Sequence, residues 1–324
     1  MSRHAPDLTG AARSLKGGVP HHDEPAPLIA LNDITEIELL ILRRMRNVTI
    51  GDHRSLSQGS GFDYVGLRDW QAGDRFSTID WAQSTLTNFS PLVVREFEQP
   101  STASVVVVAD ASLSTRCGVN GVPIAQAIAR AIATVGMSAV FFQDLFGLLT
   151  FTSSVQHLSA VRPRIGKSQV IHCLDAYQHG RGLQEVRQTG SLSTTLASFM
   201  RKTALVPFVS DFLIEDARSV LAELSLLSGT HDVFVVLVDA AFAFELPRVS
   251  AGWIEAFDVE SGRSRLMSRR ALARMADRVR RWQDEVAAMA KDADLDVVRV
   301  GRDESASDLA LAEFVAERRL RKVR

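Results

Sequence analysis

The stretch Ser104-Val-Val-Val-Val-Ala-Asp-Ala-Ser-Leu-Ser114 decides how the rest of the chain is interpreted. Four valines and an alanine run directly into Asp110, and such a run is typical of a strand that is buried on both faces of a parallel sheet. At the carboxyl end of this predicted strand, Asp110, Ser112 and Ser114 place oxygen-bearing side chains at alternate positions. Open α/β sheets bind ligands outside the carboxyl ends of their strands. Hard oxygen donors at that place suit a hard cation such as Mg²⁺.

Strands and helices alternate from residue 103 to about 320, which predicts an α/β domain with a doubly wound, mainly parallel sheet. A hairpin is predicted over 253–266. Further strands are expected at 145–151, 154–158, 205–211, 233–238 and 295–300, and helices at 122–143 with Pro123 in the first turn, at 168–177, from Ser193 as N-cap to 202, at 217–227, at 272–289 and in a last segment ending near 320.

The first hundred residues differ from the rest in composition and in hydrophobic periodicity. Residues 1–32 are rich in Pro, Gly, His and charge without periodicity, which predicts a disordered tail. Thr35 and Glu38 match a capping box, and the apolar spacing that follows predicts an amphipathic helix to about Met45 that docks on the body of the protein. Glycines and aromatics up to residue 100 predict a small β-rich subdomain. The expected division is therefore 1–32, 33–100 and 101–324.

Composition narrows the classes of function. The 324 residues include 37 Lys and Arg against 38 Asp and Glu, and the resulting net charge of −1 argues against a dedicated nucleic-acid binder. We find no apolar run that approaches the roughly 20 residues of a membrane span, and no signal-peptide core at the N-terminus. Two cysteines without metal-ligand spacing complete the composition. A cytoplasmic protein without a membrane or nucleic-acid partner is expected.

Two later positions share the placement of Asp110. Asp211 ends the predicted strand 205–211, and Thr194 lies at a junction between a loop and a helix in Ser191-Leu-Ser-Thr-Thr-Leu196. Neighbouring parallel strands would bring these side chains to the same edge of the sheet as Asp110. Two carboxylates, several hydroxyls and water suit the oxygen shell of Mg²⁺ or Mn²⁺.

Several short motifs, taken together, carry a resemblance to a known family. The motifs are Gly66-Leu-Arg68 with Trp70, Gly73-Asp74, Ile79-Asp-Trp81, Val94-Arg-Glu-Phe-Glu98, Val107-Val-Ala-Asp-Ala-Ser-Leu-Ser114 and Val209-Ser-Asp-Phe212. In these motifs the chain resembles the von Willebrand factor A-like fold and, more closely, the bacterial family called domain of unknown function 58. The resemblance covers nearly all of residues 35 to 320.

The resemblance implies a metal-ion-dependent adhesion site, known by the acronym MIDAS. Carried over motif by motif, its ligands are Asp110, Ser112, Ser114, Thr194 and Asp211. The chain departs from the family pattern near the threonine, where Ser193-Thr-Thr-Leu196 stands in place of Gly-Thr-Asp-Leu. This departure leaves open whether Thr194 or Thr195 is the ligand. Basic residues common in the family are also missing from Arg75-Phe-Ser-Thr78 and Ala82-Gln-Ser-Thr85.

The function that the resemblance implies is binding and not turnover. A cation held through an incomplete shell would keep one position for an Asp or Glu of a protein partner. Similar proteins are often paired with AAA+ ATPases of the MoxR type in the assembly or activation of other proteins. A non-enzymatic, metal-dependent adaptor is therefore expected.

Two alternatives belong to other classes. Asp110 at a strand end resembles the nucleophile of Mg²⁺-dependent phosphohydrolases, but those enzymes carry a second Asp two residues later, where this chain has Ser112. Losing that proton-transferring carboxylate would remove help on the order of 10²–10⁴-fold. A structural adaptor that binds no metal is the third class, and Thr195 keeps it open.

One helix carries a charge pattern that the metal site does not use. Arg270, Arg274, Arg278 and Arg281 line the side of the predicted helix at 272–289 that lies opposite its apolar stripe. A solvated helix face is the first interpretation of this pattern, and a docking surface for an acidic partner is the second.

Overall fold

The computed structural model describes residues 27–52, 63–72, 74, 76–98, 102–119, 122–152, 154–200, 202–214, 216–244, 253–258 and 263–321. The helices are α1 (Leu31–Asp52), α2 (Trp81–Leu86), α3 (Ile124–Phe141), α4 (Lys167–His179), α5 (Leu192–Phe199), α6 (Ala217–Ser228), α7 (Arg269–Asp292) and α8 (Glu304–Arg321). The strands are β1 (Asp63–Asp69), β2 (Val93–Glu98), β3 (Ser104–Asp110), β4 (Gly118–Val119), β5 (Val122–Pro123), β6 (Leu145–Phe151), β7 (Leu158–Arg164), β8 (Gln184–Glu185), β9 (Ala204–Ser210), β10 (Asp232–Val238), β11 (Trp253–Asp258), β12 (Arg263–Ser268) and β13 (Asp296–Val300).

Strand β3 lies at the centre of a seven-stranded sheet with the order β13-β10-β9-β3-β6-β7-β8. The five strands from β13 to β6 run parallel, and β7 is antiparallel to both of its neighbours. The prediction of a mainly parallel, doubly wound α/β sheet is confirmed. This architecture is consistent with a von Willebrand A-like fold.

The valine run of β3 is buried because helices cover both faces of the sheet. Val105 and Val107 point into one core, which α1, α3, α4 and α8 cover. Val106 and Val108 point into the opposite core, beneath α5, α6 and the C-terminal half of α7. A continuous apolar run, without polar alternation, is what a strand between two cores requires.

The order of the strands reverses between β3 and β9. After β3 the chain adds β6, β7 and β8 on one side, and α5 then returns it to β9 on the other side of β3. In open α/β sheets the crevice outside the carboxyl ends of the strands at such a reversal is the usual ligand site. The segments that follow β3 and β9 are therefore neighbours at the position most favourable for binding.

Helix α1 docks on the α/β domain as predicted, but its start differs from the prediction. The Thr35 hydroxyl donates to the Leu31 carbonyl at 3.0 Å, so Thr35 lies inside the helix and the predicted capping box is wrong. Helix α1 packs against α3 and α8, with Ile37 and Ile41 buried. Residues 1–26 of the predicted tail lie outside the described residues.

Three boundaries in the α/β domain also differ from the predictions. Strand β7 begins at Leu158, where the predicted strand 154–158 ended, although its hairpin with β6 is present. Pairing with β6 outweighs the polar appearance of the β7 sequence. Ser191, and not Ser193, caps α5 by accepting from the Thr194 N–H. Pro123 precedes α3 instead of lying in its first turn, because its backbone is extended and pairs with β4.

The small segment before β3 contains the predicted β structure. Strands β1 and β2 form an antiparallel pair, and the short helix α2 lies between them in the chain. The Arg68 guanidinium donates to both carboxylate oxygens of Asp74 at 2.7 and 2.8 Å, which holds the pKa of Asp74 at about 2. At least one of the charged pairs in this segment is therefore internal.

Helix α3 corrects the expectation that no apolar run approaches the length of a membrane span. Its 18 residues, Ile124–Phe141, are long and apolar enough to cross a bilayer by length and composition alone. In the fold 72% of this helix is buried inside the domain, beside β3 and α8. Burial against the sheet accounts for its apolar composition.

The packing of α1 predicts a matched pair of stability effects. Ile37 is 1% exposed in the core beneath α1, whereas Leu39 on the same helix is 45% exposed. We expect Ile37→Ala to lower the free energy of unfolding by about 2–4 kcal/mol, and Leu39→Ala to change it by less than about 0.5 kcal/mol. Urea unfolding followed by circular dichroism measures both. Equal effects of the two substitutions would mean that α1 does not pack on the domain.

Candidate metal centre

Asp110, the last residue of β3, is fully buried, and hydrogen bonds hold both its carboxylate and its backbone carbonyl. Its Oδ1 accepts the Ser112 N–H at 2.9 Å, and its Oδ2 accepts the Ser210 hydroxyl at 2.7 Å. The Tyr177 hydroxyl of α4 donates to the Asp110 carbonyl at 2.8 Å. Because strand β9 supplies Ser210, the position of the Asp110 side chain depends on the pairing of β3 with β9.

The two serines that follow Asp110 lie in a tight turn of the chain. A 3₁₀ turn covers Leu113–Arg116, and the Thr115 hydroxyl closes it by donating to the Ser112 carbonyl at 2.7 Å. The Oγ atoms of Ser112 and Ser114 are 3.0 Å apart, and both residues are half-buried. The turn thus brings two hydroxyl oxygens together beside the Asp110 carboxylate.

Asp211 directly follows β9 and carries the second carboxylate. It is 1% exposed, and its Oδ1 accepts the Leu213 N–H at 2.9 Å. Its Oδ2 is buried and has no hydrogen-bond partner among the residues that the structure describes. A buried carboxylate oxygen without a donor is costly, and a cation at this atom would offset that cost.

The backbone beside Asp211 is strained and held by contacts from distant elements. Phe212 has a φ of 55°, a left-handed conformation that bulky residues rarely adopt. Its N–H donates to the Ser210 Oγ at 2.9 Å, and its carbonyl accepts the indole N–H of Trp282 at 2.8 Å. The Gln283 amide donates to the carbonyls of Asp211 and Val238 at 2.9 and 2.7 Å.

Sequence reasoning missed these supporting residues for different reasons. Ser210 could have been found from the sequence, because its hydroxyl lies at the end of a predicted strand and next to Asp211. Tyr177 and Gln283 come from helices 67 and 72 residues away from their partners, so no local pattern pointed to them.

The two carboxylates are electrostatically unfavourable in each other's presence. Burial raises the pKa of Asp211 to about 7, and the nearby charge of Asp110 contributes to the rise. Burial also raises the pKa of Asp110, while hydrogen bonds from Ser112 and Ser210 oppose that rise. A cation between these groups would offset both the burial cost and the repulsion.

The donor set fits a hard divalent cation. Within the described residues no three His, Cys, Asp or Glu side chains form a group suited to a metal. The available donors are the carboxylates of Asp110 and Asp211 and the hydroxyls of Ser112 and Ser114. All are oxygens, as Mg²⁺ and Mn²⁺ prefer, and none is the nitrogen or sulfur donor that zinc sites favour.

The threonine predicted to complete the shell lies in the first turn of α5. The exposed Thr194 donates its hydroxyl to the Ser191 carbonyl at 2.9 Å. Thr195 is buried, and its Oγ1 accepts the Thr189 N–H at 3.3 Å. In the described part of the chain, neither threonine hydroxyl is hydrogen-bonded to Asp110 or Asp211. Asp110, Ser112, Ser114 and Asp211 thus form the structural core of the site.

The pKa of Asp211 predicts how the stability of the metal-free protein depends on pH. The folded-state pKa of about 7 exceeds the ordinary value of 3.8, so between these values the folded state retains a proton that the unfolded chain has released. The free energy of unfolding should therefore fall as the pH rises from about 4 to 7. Asp211→Asn should flatten this dependence and, at pH 8 in EDTA, stabilise the protein by on the order of 2 kcal/mol.

The control is Asp216→Asn, an exposed N-cap residue of α6 at which Asn caps about as well as Asp. Urea unfolding between pH 4 and 8 measures the wild type and both variants. The same pH dependence in the wild type and in Asp211→Asn would contradict the expected effect.

Comparison with models of known protein families identifies the family of the chain. The sequence profile described as "Protein of unknown function DUF58" matches residues 66–288. The matched span runs from β1 to α7 and includes every residue of the structural core of the site. No curated protein matches the chain. The match covers more than half of the sequence, and the chain belongs to the DUF58 family.

Proposed function

We propose that the protein is a non-enzymatic adaptor that captures a protein partner through a divalent cation. The observation that carries the proposal is the buried Oδ2 of Asp211, which has no hydrogen-bond partner in the described part of the chain and lies near the buried carboxylate of Asp110. Both groups lie at the reversal of strand order, where α/β sheets bind ligands. The arrangement costs the metal-free protein stability, and a bound cation would offset that cost.

The side chains have separable roles in this proposal. Asp110 and Asp211 supply the negative charge that holds Mg²⁺ or Mn²⁺, and Ser112 and Ser114 supply neutral oxygens. Thr194 is a further ligand candidate. When bound, the cation supplies a positive charge that an Asp or Glu of the partner can neutralise. Leu113 lies between the two serines and is 61% exposed, so it offers the partner an apolar contact beside the cation.

The residue two positions after Asp110 favours docking over phosphoryl transfer. Phosphohydrolases of the type considered carry a second Asp there as the acid/base, and this chain has Ser112. Losing that proton-transferring carboxylate would remove help on the order of 10²–10⁴-fold. This difference weighs against the phosphohydrolase alternative.

The proposed partner is an AAA+ ATPase of the MoxR type, acting with this protein in the assembly or activation of other proteins. This part of the proposal rests on the sequence resemblance described above. The site itself supports only the chemistry of the partner: a cation held there would bind an acidic side chain.

Removing Asp110 should abolish cation binding. We expect Asp110→Ala and the milder Asp110→Asn to show no heat of binding for Mg²⁺ or Mn²⁺ in isothermal titration calorimetry, because the shell loses a charged ligand. Asp239→Ala is the matched control, because Asp239 also follows a parallel strand, β10, and its Oδ1 accepts the Ala241 N–H. Circular dichroism in EDTA checks that each variant is folded. Equal affinity of the wild type and Asp110→Asn would rule out the metal centre.

Partner capture and catalysis are tested with the same variants. The wild type should pull down a co-expressed MoxR-type ATPase in Mg²⁺. This capture should be lost in EDTA and in the Asp110→Asn variant. Hydrolysis of p-nitrophenyl phosphate that depends on both Mg²⁺ and Asp110 would instead favour the phosphohydrolase.

The role of the threonine is tested by two substitutions. Thr194→Ala should weaken Mg²⁺ binding by at least about tenfold if its hydroxyl belongs to the site. Thr195→Val should leave the affinity unchanged and lower stability by about 1 kcal/mol, because the Thr189 N–H loses its acceptor. Calorimetry and urea unfolding measure the two quantities. A loss of affinity in Thr195→Val with none in Thr194→Ala would reverse the assignment.

A further inference from the structure

The N-terminal half of α7 and the strand before it form the most basic stretch of the chain. Between residues 263 and 281 the sequence contains eight Arg, a single acidic residue, Asp277, and no Lys. This segment therefore carries a net charge of +7, against −1 for the whole chain. The rest of the protein is correspondingly acidic.

Four of the arginines form one exposed row, which we call the arginine face: Arg270, Arg274, Arg278 and Arg281. They follow one another at helical spacings of four, four and three residues, and all four are exposed. The opposite side of the helix is buried in the domain. That side consists of Leu272, Ala276, Val279 and Gln283.

The arginine face is unfavourable for the protein on its own. Asp277 is engaged by Arg280, whose guanidinium donates to it at 3.0 Å. Among the described residues, Arg270, Arg274 and Arg278 have no acidic partner. Like charges four residues apart destabilise a helix by about 0.2–0.5 kcal/mol per pair, and positive charge in the first turn opposes the helix dipole. An anionic ligand on this surface would relieve the repulsion.

The position of the arginine face relates it to the candidate metal centre. Gln283 lies level with the carboxyl ends of the strands, because its amide donates to the carbonyls of Asp211 and Val238. Residues 269–281 precede that level in α7 and span about 20 Å along the helix, at 1.5 Å per residue.

We infer that the arginine face is a docking surface for an acidic segment of the protein partner. Guanidinium groups bind carboxylates with two parallel hydrogen bonds, which favours arginine over lysine for this purpose. Arginines four residues apart are separated by about 6 Å along the helix, close to the roughly 7 Å between alternate side chains of an extended segment. The inference extends the proposed adaptor function by naming the charge of the partner, and it does not require the cation.

The charges around the arginine face favour a short acidic segment over a polyanion or a membrane. The C-terminal half of α7 exposes Asp284, Glu285 and Asp292, and Asp216 lies beside the last two. Asp284 is ion-paired with Arg299, but the exposed Glu285 follows Arg281 by four residues, about 6 Å along the helix. That distance is inside the screening length of about 8 Å at physiological salt. A nucleic acid or an anionic bilayer would meet these acids, whereas a short segment meets the arginines alone.

The test uses a fluorescein-labelled peptide of ten glutamates and the full chain, followed by fluorescence anisotropy in EDTA. We expect the wild type to bind the peptide, with an affinity that falls as salt is added. The triple variant Arg270→Gln, Arg274→Gln, Arg278→Gln should bind at least about tenfold more weakly. The matching triple substitution to Lys should retain part of the affinity, because charge remains but two-point contact is lost.

The control removes three exposed arginines elsewhere, with Arg162→Gln, Arg164→Gln and Arg187→Gln. Its affinity for the peptide should match that of the wild type. Thermal unfolding of the α7 triple Gln variant should occur at the wild-type temperature or higher, since like-charge repulsion is relieved. If the triple Gln variant binds the peptide more weakly but unfolds at the wild-type temperature or higher, the weaker binding is due to lost contacts and not to unfolding.

Three outcomes would overturn the inference: no peptide binding by the wild type at low salt, an equal loss in the control, or tighter binding of a ten-nucleotide oligothymidylate or of phosphatidylserine vesicles than of the peptide. The last would assign the surface to nucleic acid or membrane. Asp110→Asn separates the two proposals. If it binds the peptide as the wild type does while Mg²⁺ binding is absent from both proteins, the metal centre fails and the docking surface stands.

Discussion

The hydrogen bond from the Ser210 hydroxyl to Asp110 Oδ2, 2.7 Å long, joins the two strands between which the order of the sheet reverses. Strands β3 and β9 are 100 residues apart at this contact, and their pairing brings the carboxylates of Asp110 and Asp211 together. Displacing β9 would separate the two carboxylates and remove the Ser210 hydroxyl from Asp110 Oδ2. The candidate metal centre therefore depends on this one strand pairing.

The site is unfavourable for folding, and the surrounding fold compensates for it. Burial raises the pKa of both carboxylates, and the charge of Asp110 adds to the rise at Asp211. Asp211 Oδ2 has no donor among the described residues, and Phe212 adopts a left-handed backbone. Such local costs persist only where neighbouring contacts determine the conformation, and they concentrate at functional sites. Here Trp282 and Gln283 of α7 supply those contacts. The same helix carries the arginine face, so one element supports the metal centre and presents the second surface.

Much of the fold could be predicted from local pattern, and the errors lie at element boundaries. The valine run of β3 and the apolar repeat of α7 specify their elements because periodicity and burial agree. The start of β7 was wrong because pairing with β6 decides it. The Thr35 capping box and the Ser193 cap were wrong although the deciding contacts are local, since other hydroxyls nearby could serve: Thr35 bonds to the Leu31 carbonyl inside the helix, and Ser191 caps α5.

Local sequence pattern was enough to predict that one strand ends in Asp110, that another ends at or next to Asp211, and that the sheet is mainly parallel. The hydroxyls that follow Asp110 are also evident from the sequence. The sequence also determined that arginines line one side of α7. Three-dimensional packing was needed to show that β9 lies next to β3 and that Tyr177 and Gln283 support the site. The reason is physical: strand order and helix placement follow from how two cores pack on the two faces of one sheet, and that packing is a property of the whole chain.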